Sequence, residues 1–125
     1  MKPFVLVNGC FDKFHRGHRE FLEFAAAYAS SVGCRLVVLV NDDESIRKIK
    51  GPTRPFNNFE ERTRVLRLFG YDTYPSNGDV EYAVRKLDPA MVIRGHDQVA
   101  EPFLKRWIRA PKFGDISTTK LCASS

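Results

Sequence analysis

The sequence predicts an α/β fold, with a parallel sheet covered by helices on both faces. Three observations predict it. Short apolar runs alternate along the chain with segments of helical spacing, the pattern of strands joined by crossover helices. One run, residues 35–40, is apolar at nearly every position, as a strand buried on both sides must be. The clusters rich in glycine, histidine and acid follow the first, second and fourth runs, at the sheet edge where such folds bind ligands.

Each element has a local reason. Phe4, Val5, Leu6 and Val7 read as the first strand. A helix is expected over residues 19–31, because Phe21, Leu22, Phe24 and Ala25 share one face, and Gly33 stops it. Residues 35–40 are the second strand. Asn41, Asp42, Asp43 and Glu44 end it and cap a short helix through Ile49. Residues 51–55 form a loop, after which Asn57 or Asn58 caps a helix over 59–69. Val65, Leu66 and Phe69 make its apolar face and Gly70 ends it. Residues 71–75 are a short third strand or a sheet edge. Asp79 opens a helix through Lys86, and residues 90–94 are the fourth strand, ending at Gly95. Residues 102–108 are expected to be helical, and a last helix opens at 120–122.

The 125 residues suffice for one domain with a real core, spanning 1–125. With 43% hydrophobic and 28% charged residues, the composition is soluble and globular. No apolar run approaches the roughly 20 residues that cross a bilayer, and no signal peptide is expected, since Met1, Lys2 and Pro3 lead directly into the first strand. Cys10, Cys34 and Cys122 form no spaced pair, so reduced thiols in the cytoplasm are expected. The net charge of +5 is dispersed rather than blocked. That balance favours the phosphates of a small ligand over nucleic acid or a membrane.

The most informative run is Asn8, Gly9, Cys10, Phe11, Asp12, Lys13, Phe14, His15, Arg16, Gly17, His18, between the first strand and the first helix. His15 and His18 are three apart, on one side of a first helical turn. The free N–H groups and positive end of the helix dipole point the same way. Gly9 and Gly17 leave room for a ligand at the backbone. Two imidazoles can donate hydrogen bonds to a triphosphate, more strongly if protonated.

Gly9-Cys10-Phe11-Asp12 followed by His15-Arg16-Gly17-His18 resembles the signature of the cytidylyltransferase-like nucleotidyltransferases, a Rossmann-like HxGH fold. Ile116-Ser117-Thr118-Thr119 is similar to the late ISTT motif of glycerol-3-phosphate cytidylyltransferases. Glu60-Glu61-Arg62 with Leu66 resembles their EERxxxL helix. Asn41-Asp42 with Lys50-Gly51-Pro52-Thr53-Arg54-Pro55 looks more like the adenylyltransferase domain of the bacterial heptose-phosphate pathway.

The resemblance implies a nucleotidyltransferase. A small phosphate monoester attacks the α-phosphorus of a nucleoside triphosphate and pyrophosphate leaves. His15, His18, Lys50 and Thr118 are the expected catalytic residues. Gly9, Cys10, Phe11, Gly17, Arg94, Asp97, Ser117, Thr118 and Thr119 are expected to bind the nucleotide, with Phe11 acting by packing and Asp12 organising the loop. Lys48, Lys50 and Arg62 are expected on the acceptor phosphate. Mg²⁺ is expected as cofactor, held by the triphosphate and water with no protein metal site. A homodimer is expected from the resemblance alone. Trp107, Phe56, Phe59, Phe103 and Phe113 read as core, and His96 as surface.

The sequence departs from the glycerol-3-phosphate pattern at three places, one of them the loop Gly95-His96-Asp97-Gln98, which lacks the second acid and tryptophan of those enzymes. Residues 111–115 replace an Arg-Thr-Glu-Gly run, leaving Lys112 or Arg109 as substitute for its arginine. Lys13 stands where a bulky apolar residue is common. The ISTT run points to CTP and the KGPTRP segment to ATP; CMP transfer is favoured, to glycerol 3-phosphate or a sugar phosphate. Adenylyl transfer to a heptose-type sugar phosphate is the alternative, and a non-catalytic nucleotide sensor is the alternative from another class.

Overall fold

Five parallel strands run through the computed structural model, which describes residues 3–98 and 101–113. In chain order the elements are β1 (Phe4–Gly9), α1 (Arg16–Ser31), β2 (Arg35–Asn41), α2 (Asp43–Lys50), α3 (Phe59–Leu68), β3 (Asp72–Ser76), α4 (Val80–Leu87), β4 (Met91–Arg94) and β5 (Trp107–Arg109). The sheet order is β3-β2-β1-β4-β5, with every neighbouring pair parallel. The chain builds outward from β1 to β3, then returns to the other side of β1 for β4. The reversal between β1 and β4 opens a crevice at their carboxyl ends.

Strand alternation divides the core into two layers. Val5 and Val7 of β1 and Val38 and Val40 of β2 pack with Leu22, Ala25 and Ala29 of α1 and Leu66 of α3. The intervening Leu6, Val37 and Leu39 turn to the opposite face, against Ala83 and Val84 of α4, Val92 and Leu104. The expected Rossmann-like α/β architecture is therefore present, with helices on both faces.

Caps set the helix starts. Asp42 accepts from Ser45 N–H at 2.8 Å to open α2. Asn58, not Asn57, caps α3, in a reciprocal box with Glu61. Pro75 sits within β3, which tolerates it as an edge strand.

Two expectations are corrected. α1 begins at Arg16, three residues before the expected start, because His15 caps it. Residues 102–108 do not form a helix: Trp107–Arg109 is β5, paired with β4 from Val92↔Trp107 to Arg94↔Arg109. Phe103, Leu104 and Trp107 do face one apolar cluster, which imitates helical spacing, but the open edge of β4 recruits the segment as a strand. The last helix expected at 120–122 lies outside the described residues. Among the described residues, no helix is long and apolar enough to cross a membrane.

Candidate active site

His15 and His18 are fixed by each other. His15 is the N-cap of α1, and its Nδ1 accepts from Gly17 N–H at 3.0 Å. His18, at the third helical position, accepts from His15 N–H through its own Nδ1 at 3.2 Å. The pair is thus a capping box made of two imidazoles. Their rings stack with centroids 3.8 Å apart, and Phe14 and Phe11 hold His18 from its remaining sides.

This arrangement decides their protonation. Each Nδ1 is an acceptor, so a neutral ring carries its hydrogen on Nε2. Both Nε2 atoms are buried and have no hydrogen-bond partner among the described residues. Burial lowers both pKa values. His18 falls to about 3, through burial first, then the charges of His15 and Lys50, with Asp12 opposing. The site therefore offers neutral Nε2–H donors rather than the imidazolium considered from the sequence. Gly17 N–H is occupied by His15, so it does not face a ligand.

Asp12 organises the loop before α1. It is fully buried and accepts from Phe56 N–H at 2.8 Å, Asn57 N–H at 2.9 Å, Lys13 N–H at 3.1 Å and Arg54 Nε at 3.3 Å. Burial alone would raise its pKa. The backbone donors and Arg54 outweigh it and hold the carboxyl below the usual range. Phe11 is buried in the first core layer with its edge toward His18, so its part is packing. Cys10 is also buried, accepting weakly from Asn41 Nδ2 at 3.5 Å. Gly9 ends β1 beside it, in register with Val40.

The three expected acceptor cations separate. Lys50 ends α2, and its charge reaches His18. Lys48 points into solvent, paired with Glu44 at 3.6 Å. Arg62 is 2% exposed. Its Nη1 donates to Cys10 O at 2.7 Å and Asn41 O at 2.8 Å, Nε to Asn57 O at 2.9 Å, and Nη2 to Asp43 Oδ1 at 2.7 Å. Those bonds tie the ends of β1 and β2 to the starts of α2 and α3. In this structure Arg62 is a tie between elements, where the sequence suggested a phosphate contact.

At the crevice, Gln98 bridges the loop after β4 to β1. Its Oε1 accepts from Gly95 N–H at 2.7 Å and its Nε2 donates to Asn8 O at 3.1 Å. Arg109 shapes the same loop, with Nη1 donating to Gln98 O at 2.7 Å, Gly95 O at 3.2 Å and His96 O at 3.3 Å. Between Arg109 and Lys112, only Arg109 is seen to hold this loop, while Lys112 is exposed. Asp97 and His96 are exposed at the turn, and Arg94 is buried at the end of β4. Burial lowers the Arg94 pKa, with Glu101 opposing. Trp107 packs against the second core layer, as expected, whereas Phe56, read as core, is exposed, because its ring carries the Lys13 and Arg54 cations instead of packing in either layer.

Sequence reasoning missed Gln98, Asn8 and the acceptor of Asn41. Asn8 Oδ1 and Asn41 Oδ1 are buried without a hydrogen-bond partner among the described residues. The available signal was an asparagine near the carboxyl end of each of the first two apolar strands. Ser117, Thr118 and Thr119 lie outside the described residues. The described chain ends at Phe113, whose carbonyl oxygen lies close to Gly17 and whose ring meets Phe24.

Residues 6–121 match the model of the Cytidylyltransferase-like family. The chain is 34% identical to the bifunctional protein HldE of Pseudomonas savastanoi pv. phaseolicola over 125 residues, 97% of this chain and 25% of that protein. It is 40% identical to the bifunctional protein HldE of Pseudomonas syringae pv. syringae over 97 residues, 74% of this chain and 19% of that protein. The chain thus spans about a fifth to a quarter of the length of these curated relatives. Among solved structures, the lipopolysaccharide core biosynthesis protein of Thermoplasma volcanium superposes with a TM-score of 0.72 at 23% identity, covering 91% of this chain and all of that one. The macrolide-efflux protein of Streptococcus pneumoniae superposes at 0.66 and 18% identity, covering 94% of this chain and 48% of that one. At these identities the structures share the fold.

Proposed function

The chain belongs to the cytidylyltransferase-like family, and from that premise we propose that it transfers a nucleoside monophosphate from a nucleoside triphosphate to a small phosphate monoester. The acceptor's phosphate oxygen forms a bond to the α-phosphorus, the bond to the β-phosphate oxygen breaks, and pyrophosphate leaves with that electron pair. A monoester is largely ionised near pH 7, so the protein needs no strong base. Its work is to bring two polyanions together and to stabilise charge on the transferred group and on pyrophosphate.

The observation that carries this reading is the stacked His15–His18 pair, whose buried Nε2–H donors have no hydrogen-bond partner among the described residues. Neutral donors held in fixed positions suit a developing negative charge, because nothing reorganises as charge appears. Lys50, whose charge reaches His18, is assigned to the α-phosphate and acceptor. Gly9, Cys10, Arg94 and Asp97 border the nucleotide at the carboxyl ends of β1 and β4, with Phe11 and Gly17 acting through packing and through the His15 ring. Ser117, Thr118 and Thr119 are assigned to the triphosphate by the resemblance of their run to the ISTT motif.

Mg²⁺ is proposed to arrive on the triphosphate. Asp12 is a poor ligand because both its oxygens already accept N–H donors. The cation would neutralise phosphate charge when bound. CMP transfer is the favoured chemistry. Adenylyl transfer to a heptose-type sugar phosphate is the second reading, favoured by the segment from Lys50 to Pro55. A homodimer and a cytoplasmic setting complete the proposal, the latter in keeping with free Cys10 and Cys34.

The test is pyrophosphate release from all four triphosphates with Mg²⁺ against a panel of polyol and sugar phosphates. Turnover with one pairing is expected. Nucleotide binding without turnover across the panel, in folded protein, would replace the transferase with a nucleotide sensor.

A further inference from the structure

We propose that Lys13 and Arg54 form an anion subsite on the acceptor side, selecting an acceptor that carries a second negative group besides its attacking phosphate. This rests on the transfer reading above.

Both cations gather on one half-exposed aromatic ring. Lys13 Nζ lies 4.1 Å and the Arg54 guanidinium carbon 4.5 Å from the centre of Phe56. The ring favours each cation, but it leaves two like charges close together. Among the described residues, the carboxylate in contact with this cluster is Asp12, and its two oxygens already accept three backbone N–H groups and Arg54 Nε. The cluster is therefore net positive, with room in its charge balance for an anion. Arg54 also keeps a donor: its Nη2 is buried and has no hydrogen-bond partner among the described residues.

The cluster is built rather than incidental. Lys13 adopts a left-handed backbone with φ of 47°, and its N–H donates to both Asp12 Oδ1 at 3.1 Å and Asn57 Oδ1 at 3.2 Å. Its side chain therefore leaves from a fixed point. Arg54 is anchored from below by the same carboxylate at 3.3 Å. The position is also right for an acceptor. Lys13 stands two residues before His15 and Arg54 four residues after Lys50, and Asp12 ties their two loops together through Arg54 Nε and the Phe56 and Asn57 N–H groups. A phosphate at Lys50 and a second anion at Lys13 and Arg54 would span those positions.

Glycerol 3-phosphate and 3-phosphoglycerate test this, since they share a carbon chain and differ by one carboxylate. Titration calorimetry on the full chain should show 3-phosphoglycerate binding about tenfold more tightly. Lys13→Leu, at an exposed position, should erase the difference, and Arg54→Lys should reduce it. Equal affinities in the unaltered protein, or a difference that survives Lys13→Leu, overturn the subsite. Pyrophosphate release with the same acceptors separates the two readings. A lysine-dependent affinity difference in protein that shows no turnover across the full acceptor panel upholds the subsite and removes the transferase. Turnover without that difference upholds the transferase and removes the subsite.

Discussion

The His15 imidazole occupies the space that a side chain at Gly17 would need: a Cβ there would lie 2.9 Å from His15 Cε1 and 3.1 Å from Nδ1. The glycine of the HxGH run is therefore required by the histidine before it. Its φ is not in the left-handed region, so conformational freedom is not the reason.

Gly17→Ala should push the His15 ring off His18 and break the Gly17 N–H to Nδ1 bond. The lost cap costs about 1 kcal/mol, and alanine in place of glycine returns about as much in helix propensity. Melting temperature should therefore move little. Turnover should fall by about 10² to 10³, the range for losing one aligned donor. Pyrophosphate release and thermal melting, measured together, separate the two effects.

That pair also shows what was legible in the sequence. The spacing of His15, Gly17 and His18 after an apolar strand marked the candidate site, and the alternation of strands and helices located the sheet. The reason for the glycine was not legible, because it depends on a side-chain rotamer. Arg62 was legible as a motif residue, but whether it faces ligand or the carbonyls of Cys10 and Asn41 depends on how three elements meet. Residues 102–108 misled for a related cause. Their apolar spacing fits a helix, and only the free edge of β4 makes residues 107–109 a strand.

His18 should resist protonation across the ordinary pH range. Its pKa in the fold is about 3, against a usual 6.5, chiefly through burial. Between those values the unfolded chain binds a proton that the folded one refuses, so stability is full above pH 6.5 and falls as pH drops toward 3. Asp12, held below its usual value by its backbone donors and Arg54 against the effect of burial, adds acid sensitivity in the same direction below about pH 4. The His18 ring resonances in an NMR titration should stay flat from pH 8 to about 5. A midpoint near 6.5 would show a solvated ring and remove the neutral-donor assignment.

Arg62 should matter to stability before it matters to binding. Arg62→Met leaves the carbonyls of Cys10, Asn41 and Asn57 and the carboxylate of Asp43 without their donor. The expected loss is about 2–4 kcal/mol in urea unfolding. Arg62→Lys should recover little, because one ammonium cannot reach partners arranged for a planar fork. If stability changes by less than about 0.5 kcal/mol while the acceptor KM rises, the tie is unimportant and a direct phosphate contact takes its place.

Lys48 and Lys50, two residues apart on one helix, should differ sharply. The pair of Lys48 with Glu44 is 3.6 Å long with both side chains 75% exposed, a geometry worth little in water. Lys48→Ala should change turnover by less than about threefold. Lys50 acts electrostatically on His18 from the end of α2. Lys50→Ala should lower kcat/KM by about 10² or more if it stabilises the transferring phosphate. It should also raise the His18 pKa, since removing a nearby positive charge makes protonation easier. That second readout does not depend on turnover. A lowered kcat/KM with an unmoved His18 titration would place Lys50 on the acceptor but away from the imidazoles, and equal effects of the two substitutions would remove it from the site.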